Sequence, residues 1–431
     1  MTRYLLSRRQ ALAGAAGLGV TVEMLGSSAW AAGDRDLARR KLVVIVARGG
    51  LDGLSLTPPV GDANYAALRG AIALPGFGEP GGALKLDGTF GLHPAMVATY
   101  ALALKGQVRI APAIATPDRE RSHFEAQDVL ESGAPVVYGA SSGWLNRALE
   151  AMAPGRSIRA ISIGPTAPLI LRGKIEAASW SPGGRPQIDT RLPGILQDLY
   201  ADDPLLGPAL ASGMATQDMA KVANQDVSAG PVMAETMTSG AMDRQVEAGG
   251  AALAPALRQG LPQARKLGAT LAAFMTQPDG KQVAAVSMDN FDTHANQGAA
   301  QGQLATRLAY VDAFIDGFAT ELGPAWSDTV VVMATEFGRT AHVNGTRGTD
   351  HGTASTALVL GGAIRRGGII GDWPTLRANA LYENRDTAPT LDMRGLFKGV
   401  LHDHLGVDRG MLDSLVFPDS AMIAPLTNLI A

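Results

Sequence analysis

The sequence predicts a layered α/β protein: a doubly wound, mostly parallel sheet with helices on both faces and a helical insertion. Three observations predict it. Short apolar runs rich in β-branched residues recur at 41–47, 108–113, 160–163, 283–288, 329–334 and 357–360, the pattern of strands buried on both faces. Segments with helical spacing, such as 304–322, separate them, and strands alternating with helices build layered α/β sheets. The composition agrees, because 52 Gly and 25 Pro against 5% aromatic residues suit a turn-rich α/β protein better than a helical bundle.

At 431 residues and 46% hydrophobic content, the chain supports one large or two ordinary domains with a substantial core. In chain order, residues 1–32 come first: Ser7-Arg8-Arg9, an apolar small-residue stretch over 11–22, then Ala29-Trp30-Ala31. Adjacent arginines before a short apolar run and a small-residue cleavage site read as a twin-arginine export signal. The expected partner is the twin-arginine translocase, and the expected location is periplasmic or secreted. No other stretch is long and apolar enough to span a bilayer, so no stable membrane anchor is expected. The run 41–47 (KLVVIVA), ended by Arg48-Gly49-Gly50, reads as the first buried strand. Between about 192 and 268 strand signals vanish, Ala, Met, Gln and Asp dominate, and Pro255 and Pro262 punctuate helical pieces, which marks the insertion.

Charge and cysteine exclude whole classes of function. With 37 Lys+Arg against 40 Asp+Glu and no basic run, nucleic acid is not an expected partner. The absence of cysteine removes disulfides, thiolate metal sites and cysteine nucleophiles.

Parallel sheets place ligands at the carboxyl ends of their strands, so the polar residues there are the ones to inspect. Arg48 and Asp52 follow the first run, Asp292 and His294 follow 283–288, Glu336 and Arg339 follow 329–334, and Asp350-His351 precede 357–360. Carboxylates with imidazoles suit a divalent metal such as zinc, manganese, magnesium or calcium. Each residue alone also reads as a turn, a cap or a structural histidine. Arg121-Ser122-His123 stands ahead of a helical stretch, where Ser122 with Glu125 forms a capping box. The same geometry places a serine where backbone N–H groups favour an anion, with Arg121 beside it to clamp phosphate or sulfate oxygens. A rival is Gly139-Ala140-Ser141-Ser142-Gly143, which matches the nucleophile elbow G-x-S-x-G and would make a serine hydrolase with Ser141 attacking and His351 as base. Pro135 ahead of it argues against a central strand. His402 and His404 read as cations at a helix C-terminus, and His93-Pro94 as a helix start. The methionines between 214 and 242 read as packing rather than a copper site.

The phrases RGGLDGL (48–54), RSHFEAQDVLESG (121–133), DTHANQ (292–297), TEFGRT (335–340), NGTRGTDHG (344–352) and VLGGAIRRGGIIGDWP (359–374) resemble, in order, the family numbered 1501 among domains of unknown function. That family consists largely of exported bacterial proteins related to the alkaline phosphatase and sulfatase superfamily. The resemblance implies an alkaline-phosphatase-like fold and a metal-dependent hydrolase of small anionic phosphate or sulfate esters. It implies Ser122 as nucleophile with Arg121 and His123 beside it. It also implies Asp52, Asp292, His294, Glu336, Asp350 and His351 as metal ligands, and Arg48 and Arg339 as substrate contacts. DTAPT (386–390) resembles a phrase near the end of sulfatases. Three departures stand out: Asp52 lies past its strand, Asp292 and His294 are closely spaced, and Phe337 stands where the superfamily pattern has an imidazole. A non-catalytic exported binding or assembly protein on the same scaffold is the alternative.

Overall fold

The computed structural model describes residues 37, 39–153, 159–164, 167–181, 253–277, 280–364 and 366–430. The export signal at 1–32, the methionines between 214 and 242 and most of the insertion at 192–268 lie outside the described residues.

Every residue of β1 (Lys41–Ala47) is buried, as its unbroken apolar run requires of a strand covered on both faces. Parallel neighbours flank it, β7 (Val283–Met288) on one side and β8 (Thr329–Ala334) on the other. Beyond β7 lie β5 (Ala160–Ile163) and β6 (Ala177–Trp180). Beyond β8 lie β9 (Ser355–Leu360), β4 (Val108–Ala115) and β10 (Gly368–Ile369), with β11 (Leu391–Asp392) also paired to β4. Two short strands, β2 (Leu84–Lys85) and β3 (Gly91–Leu92), form a separate hairpin, and three short helices, α1 (Gly53–Leu56), α2 (Tyr65–Arg69) and α3 (Val97–Leu104), fall between β1 and β4 in the chain.

Within the large sheet only β9 runs antiparallel, against β4 and β8, among the described strands. That reversal matters for the site. The chain enters β9 at the edge where β1, β4, β7 and β8 end, so residues before β9 join residues after the other four.

Alternate residues of β1 feed two cores. Leu42, Val44 and Val46 pack with Trp144 and Leu145 of α5 (Trp144–Met152) and with Leu396 and Phe397 of α8 (Met393–Leu405). Val43, Ile45 and Ala47 face the opposite layer, with Phe274 of α6 (Leu253–Thr276) and Leu308 and Phe314 of α7 (Gln303–Leu322). Each Val, Leu or Ile so buried contributes about 1.5–3 kcal/mol against the chain entropy.

Two sequence expectations are corrected. Pro262 does not divide the helical segment; α6 runs through it. Close packing against α7 holds it, since a Cβ on Gly268 would lie 2.1 Å from the Phe314 carbonyl and one on Gly317 2.0 Å from that of Arg265. Ahead of Ser141, residues 136–138 form a turn in which Tyr138 has φ +56°, in keeping with Pro135. His404 is not a surface cation: it is 1% exposed and its Nε2 donates to the Lys41 carbonyl at 2.9 Å. Burial pushes it down to about 4, which keeps it neutral.

Candidate metal centre

The loops after β1, β4 and β7 and the segment joining β8 to β9 meet at one sheet edge, where α4 (His123–Ser132) also begins. There His123, Asp292 and His351 each bring a ligand-type atom within 4.8 Å of the other two. His351 Nε2 lies 3.2 Å from Asp292 Oδ1 and His123 Nε2 lies 3.4 Å from Asp292 Oδ2. His294 borders the group, its Nε2 2.9 Å from Asp292 Oδ1 and 3.1 Å from His351 Nε2.

What turns these rings inward is visible on their other nitrogens. His351 Nδ1 donates to the backbone carbonyl of Arg121 at 2.8 Å. A carbonyl only accepts, so Nδ1 carries the hydrogen and Nε2 is left as the ligand atom. Arg121 has φ +58°, a costly left-handed conformation for a residue with a side chain. His123 Nδ1 donates to Glu336 Oε1 at 2.9 Å. The buried Nε2 of His123 makes no close hydrogen bond, Asp292 Oδ2 standing off at 3.4 Å, a spacing that leaves room for a cation between the two.

Glu336 lies one layer behind, fully buried. Its Oε1 also accepts from the backbone N–H groups of Gly49 (2.8 Å) and Gly50 (3.2 Å) and from Gln127 Nε2 (3.3 Å), and Oε2 accepts from Thr335 Oγ1 (3.0 Å). The two glycines explain the Arg-Gly-Gly turn. Gly49 has φ +113° and a Cβ there would sit 2.6 Å from the Asp292 nitrogen; Gly50 has φ +67° and its Cβ would strike the Phe337 ring. Phe337 packs against His123 and His351, with ring centroids 4.8 Å from each.

Charge follows this geometry. Burial favours neutral His123, but the facing carboxylates of Asp292 and Glu336 outweigh that and raise it to about 9. Burial likewise opposes ionising Asp292, yet the close approach of His123 and His351 and the Arg339 guanidinium hold it well below the ordinary carboxylate range. Burial and the charge of Arg339 lower His294. Arg339 is 1% exposed, with Nη1 2.5 Å from Asp292 Oδ1, Nε 3.1 Å from Thr349 Oγ1, and Nη2 on the Thr349 carbonyl. Asp350 stands behind His294, Oδ1 to Nδ1 at 3.5 Å, and accepts from Asn344 Nδ2 at 3.1 Å.

Other residues singled out in the sequence are placed elsewhere or engaged elsewhere. Asp52 is not brought to the cluster: its Oδ2 pairs with Arg69 and accepts from Ser55 Oγ (2.8 Å) and Gln297 Nε2 (2.6 Å), all buried. Arg48 pairs with buried Glu131. Arg121 pairs with Asp386 (3.0 Å) and Glu383 (2.5 Å). Ser122 precedes α4 as its N-cap, but its side chain makes no cap bond, so the capping box with Glu125 does not close. Ser141 is exposed and follows a turn, so the strand that a nucleophile elbow requires is missing there. Gln127 and Gln297 went unremarked in the sequence; Gln127 lies four residues after His123 on one helix face, a signal that was present, whereas Gln297 carries none.

A comparison with curated proteins finds no match. Among solved structures, Ps i-CgsB in complex with k-i-k-neocarrahexaose is 10% identical with a TM-score of 0.39, covering 89% of this chain and 76% of that one. The C-terminal periplasmic domain of EcEptC from Escherichia coli, a complex with Zn, is 9% identical at 0.39, covering 91% and 87%. A protein in the alkaline phosphatase superfamily from Vibrio parahaemolyticus is 10% identical at 0.36, covering 77% and 63%. At these scores the likenesses carry no assignment of chemistry. A family model, described as Protein of unknown function (DUF1501), matches residues 39–416, and the chain belongs to that family.

Proposed function

We propose that the protein is an exported, metal-dependent hydrolase of phosphate or sulfate esters, with a divalent cation held by His123, Asp292 and His351 and bordered by His294. One observation supports this above the rest: the Nδ1 positions of His123 and His351 are both tied back, to Glu336 and to the Arg121 carbonyl, so that both Nε2 atoms converge on Asp292. A cation bound there supplies Lewis-acid polarisation of an ester oxygen. The chain supplies the rest. Asp292 stays ionised beside Arg339, and Glu336 and the Arg121 carbonyl hold the two rings in register. Ser122, whose hydroxyl makes no cap bond, is the candidate nucleophile at the start of α4. Its oxygen would bond to phosphorus or sulfur as the bond to the ester oxygen breaks, the hydroxyl proton passing to the departing alcohol; the helix N–H groups would orient the anionic oxygens, and water would then split the serine ester, restoring the hydroxyl and releasing the acid.

The export signal supports work in the periplasm or outside the cell, after passage through the twin-arginine translocase. Among the described residues no helix is long and apolar enough to cross a membrane.

Asp292→Ala and His351→Ala test the reading. Both variants are expected to lose the divalent ion while keeping the fold, and wild-type turnover of aryl phosphates, phosphodiesters or sulfates is expected to stop with a chelator. Full ion content in both variants, measured by elemental analysis, sinks the assignment. A second reading, an exported binding protein that holds the cation without turnover, draws support from the arginines. Arg48, Arg121 and Arg339 are each paired with carboxylates of the protein itself, which weakens their pull on an anionic ester. Retention of phosphate or sulfate esters without hydrolysis distinguishes it.

A further inference from the structure

We propose that the cation this cluster takes is a nitrogen-seeking one of the zinc, cobalt or nickel kind, and that Arg339 is the residue that turns calcium and magnesium away. The inference rests on the metal-site reading above and adds the identity of the ion and the origin of its selection.

The donor set argues first. Imidazole nitrogens from His123, His294 and His351 surround a single carboxylate, Asp292. The other nearby carboxylates are already used: both oxygens of Glu336 accept hydrogen bonds from the protein, and Asp350 faces the Nδ1 side of His294. Calcium takes about 6–8 oxygen ligands, and magnesium demands near-octahedral oxygens. Imidazole suits zinc, nickel and copper.

Spacing argues second. The nitrogen and oxygen atoms stand 2.9, 3.1, 3.2 and 3.4 Å apart in their four closest pairs. With bonds of about 2.0–2.1 Å, tetrahedral zinc sets its ligand atoms roughly 3.3 Å apart. Calcium, with bonds of about 2.3–2.6 Å and more ligands, needs a wider cage.

Arg339 adds the electrostatic selection. Its guanidinium is buried, fixed by Thr349, and lies on Asp292 Oδ1. It therefore offsets the charge of the one available carboxylate and occupies the oxygen needed for a bidentate grip. A hard cation depends on both; an ion bound through imidazole nitrogens depends on them less.

The test strips the full chain with a chelator and dialyses it separately against zinc, cobalt, nickel, manganese, magnesium and calcium, with bound ion read by elemental analysis. Zinc, cobalt and nickel are expected to bind, and excess calcium or magnesium is expected to leave bound zinc in place. Arg339→Met is expected to raise calcium affinity about tenfold, the order expected for removing one neighbouring charge, while Arg339→Lys keeps the discrimination. Calcium or magnesium binding as tightly as zinc in the wild type overturns the selectivity and leaves a metal site standing. No ion bound at all overturns the metal site with it. Calcium binding unchanged in a folded Arg339→Met overturns the role of Arg339.

Discussion

Asp52 and Asp292 sit on neighbouring loops at the same edge of the sheet, each against a buried arginine, and they differ in what closes the other side. Asp52 meets Arg69, Ser55 and Gln297 and is sealed from solvent. Asp292 meets Arg339 on one side, but its other side opens to imidazoles, and its side chain is 38% exposed. A hydrogen-bonded chain joins the two, because Gln297 Oε1 accepts from Thr349 Oγ1 at 2.9 Å and that hydroxyl accepts from Arg339 Nε. The two carboxylates share a residue type and a sheet edge, yet one is enclosed within the fold with only its Oδ2 engaged and the other opens toward solvent and imidazoles.

The largest expected effect breaks the closed pair. Asp52→Ala leaves the Arg69 cation buried without its carboxylate, a loss of about 3–5 kcal/mol, read as a lowered urea midpoint. Asp292→Asn keeps an acceptor for Arg339 beside a partly open surface, and its cost is expected near about 1–2 kcal/mol. Equal costs at the two positions would erase the distinction.

The histidines divide in the same way, and pH exposes the division. His93 and His404 are buried structural rings. His93 Nδ1 accepts from the Ala95 N–H and Nε2 donates to the Ala299 carbonyl, a set that only a neutral ring satisfies. Burial pushes each of them from 6.5 down to about 4. The unfolded chain therefore binds more protons than the folded one between pH 6.5 and 4. Their contribution is complete above 6.5 and lost as pH falls through that window, about 3 kcal/mol for each ring. Chemical unfolding across the window is expected to show the slope, and His404→Gln to reduce it. A slope unchanged in that variant would return His404 to the surface role its helix-end position suggested.

Such differences set the limits of what the chain discloses by itself. The strands β1, β5, β7 and β8 were legible at their observed bounds because burial on both faces writes an unbroken apolar run. The reversal of β9 was not, because direction depends on partners far away in sequence; only that reversal carries His351 to the edge where Asp292 lies. The residues Asp292, His294 and His351 were legible as a group from their strand-end loops. The sealing of Asp52 was not, because Arg69 and Gln297 reach it from 17 and 245 residues away. Nor was the route by which His123 comes to Asp292, since it needs Glu336 and two left-handed glycines behind it.

Glu336 is closed like Asp52 yet serves the open side, through its bond to His123. Glu336→Gln can still present an oxygen to Gly49 and Gly50, so the turn is expected to survive. The charge that steadies His123 is lost, and affinity for a divalent ion is expected to fall about 10–100-fold, measured by chelator competition. An unchanged affinity would place Glu336 with Asp52 as a purely structural carboxylate.

The smallest expected effect concerns Ser122, and it bears on whether α4 needs its serine at all. The backbone of Ser122 does cap the helix, since its carbonyl accepts from the Ala126 N–H at 2.9 Å, but the hydroxyl makes no cap bond. Asp392 opens α8 differently, its carboxylate accepting from the Arg394 N–H at 2.8 Å. Asp392→Ala is therefore expected to cost about 1 kcal/mol, and Ser122→Ala less than about 0.5 kcal/mol, both read from urea midpoints. The same Ser122→Ala protein is expected to keep its divalent ion and lose ester turnover. A cost at Ser122 as large as at Asp392 would mean that the hydroxyl serves the helix, and a side chain occupied in that way is not free to attack an ester.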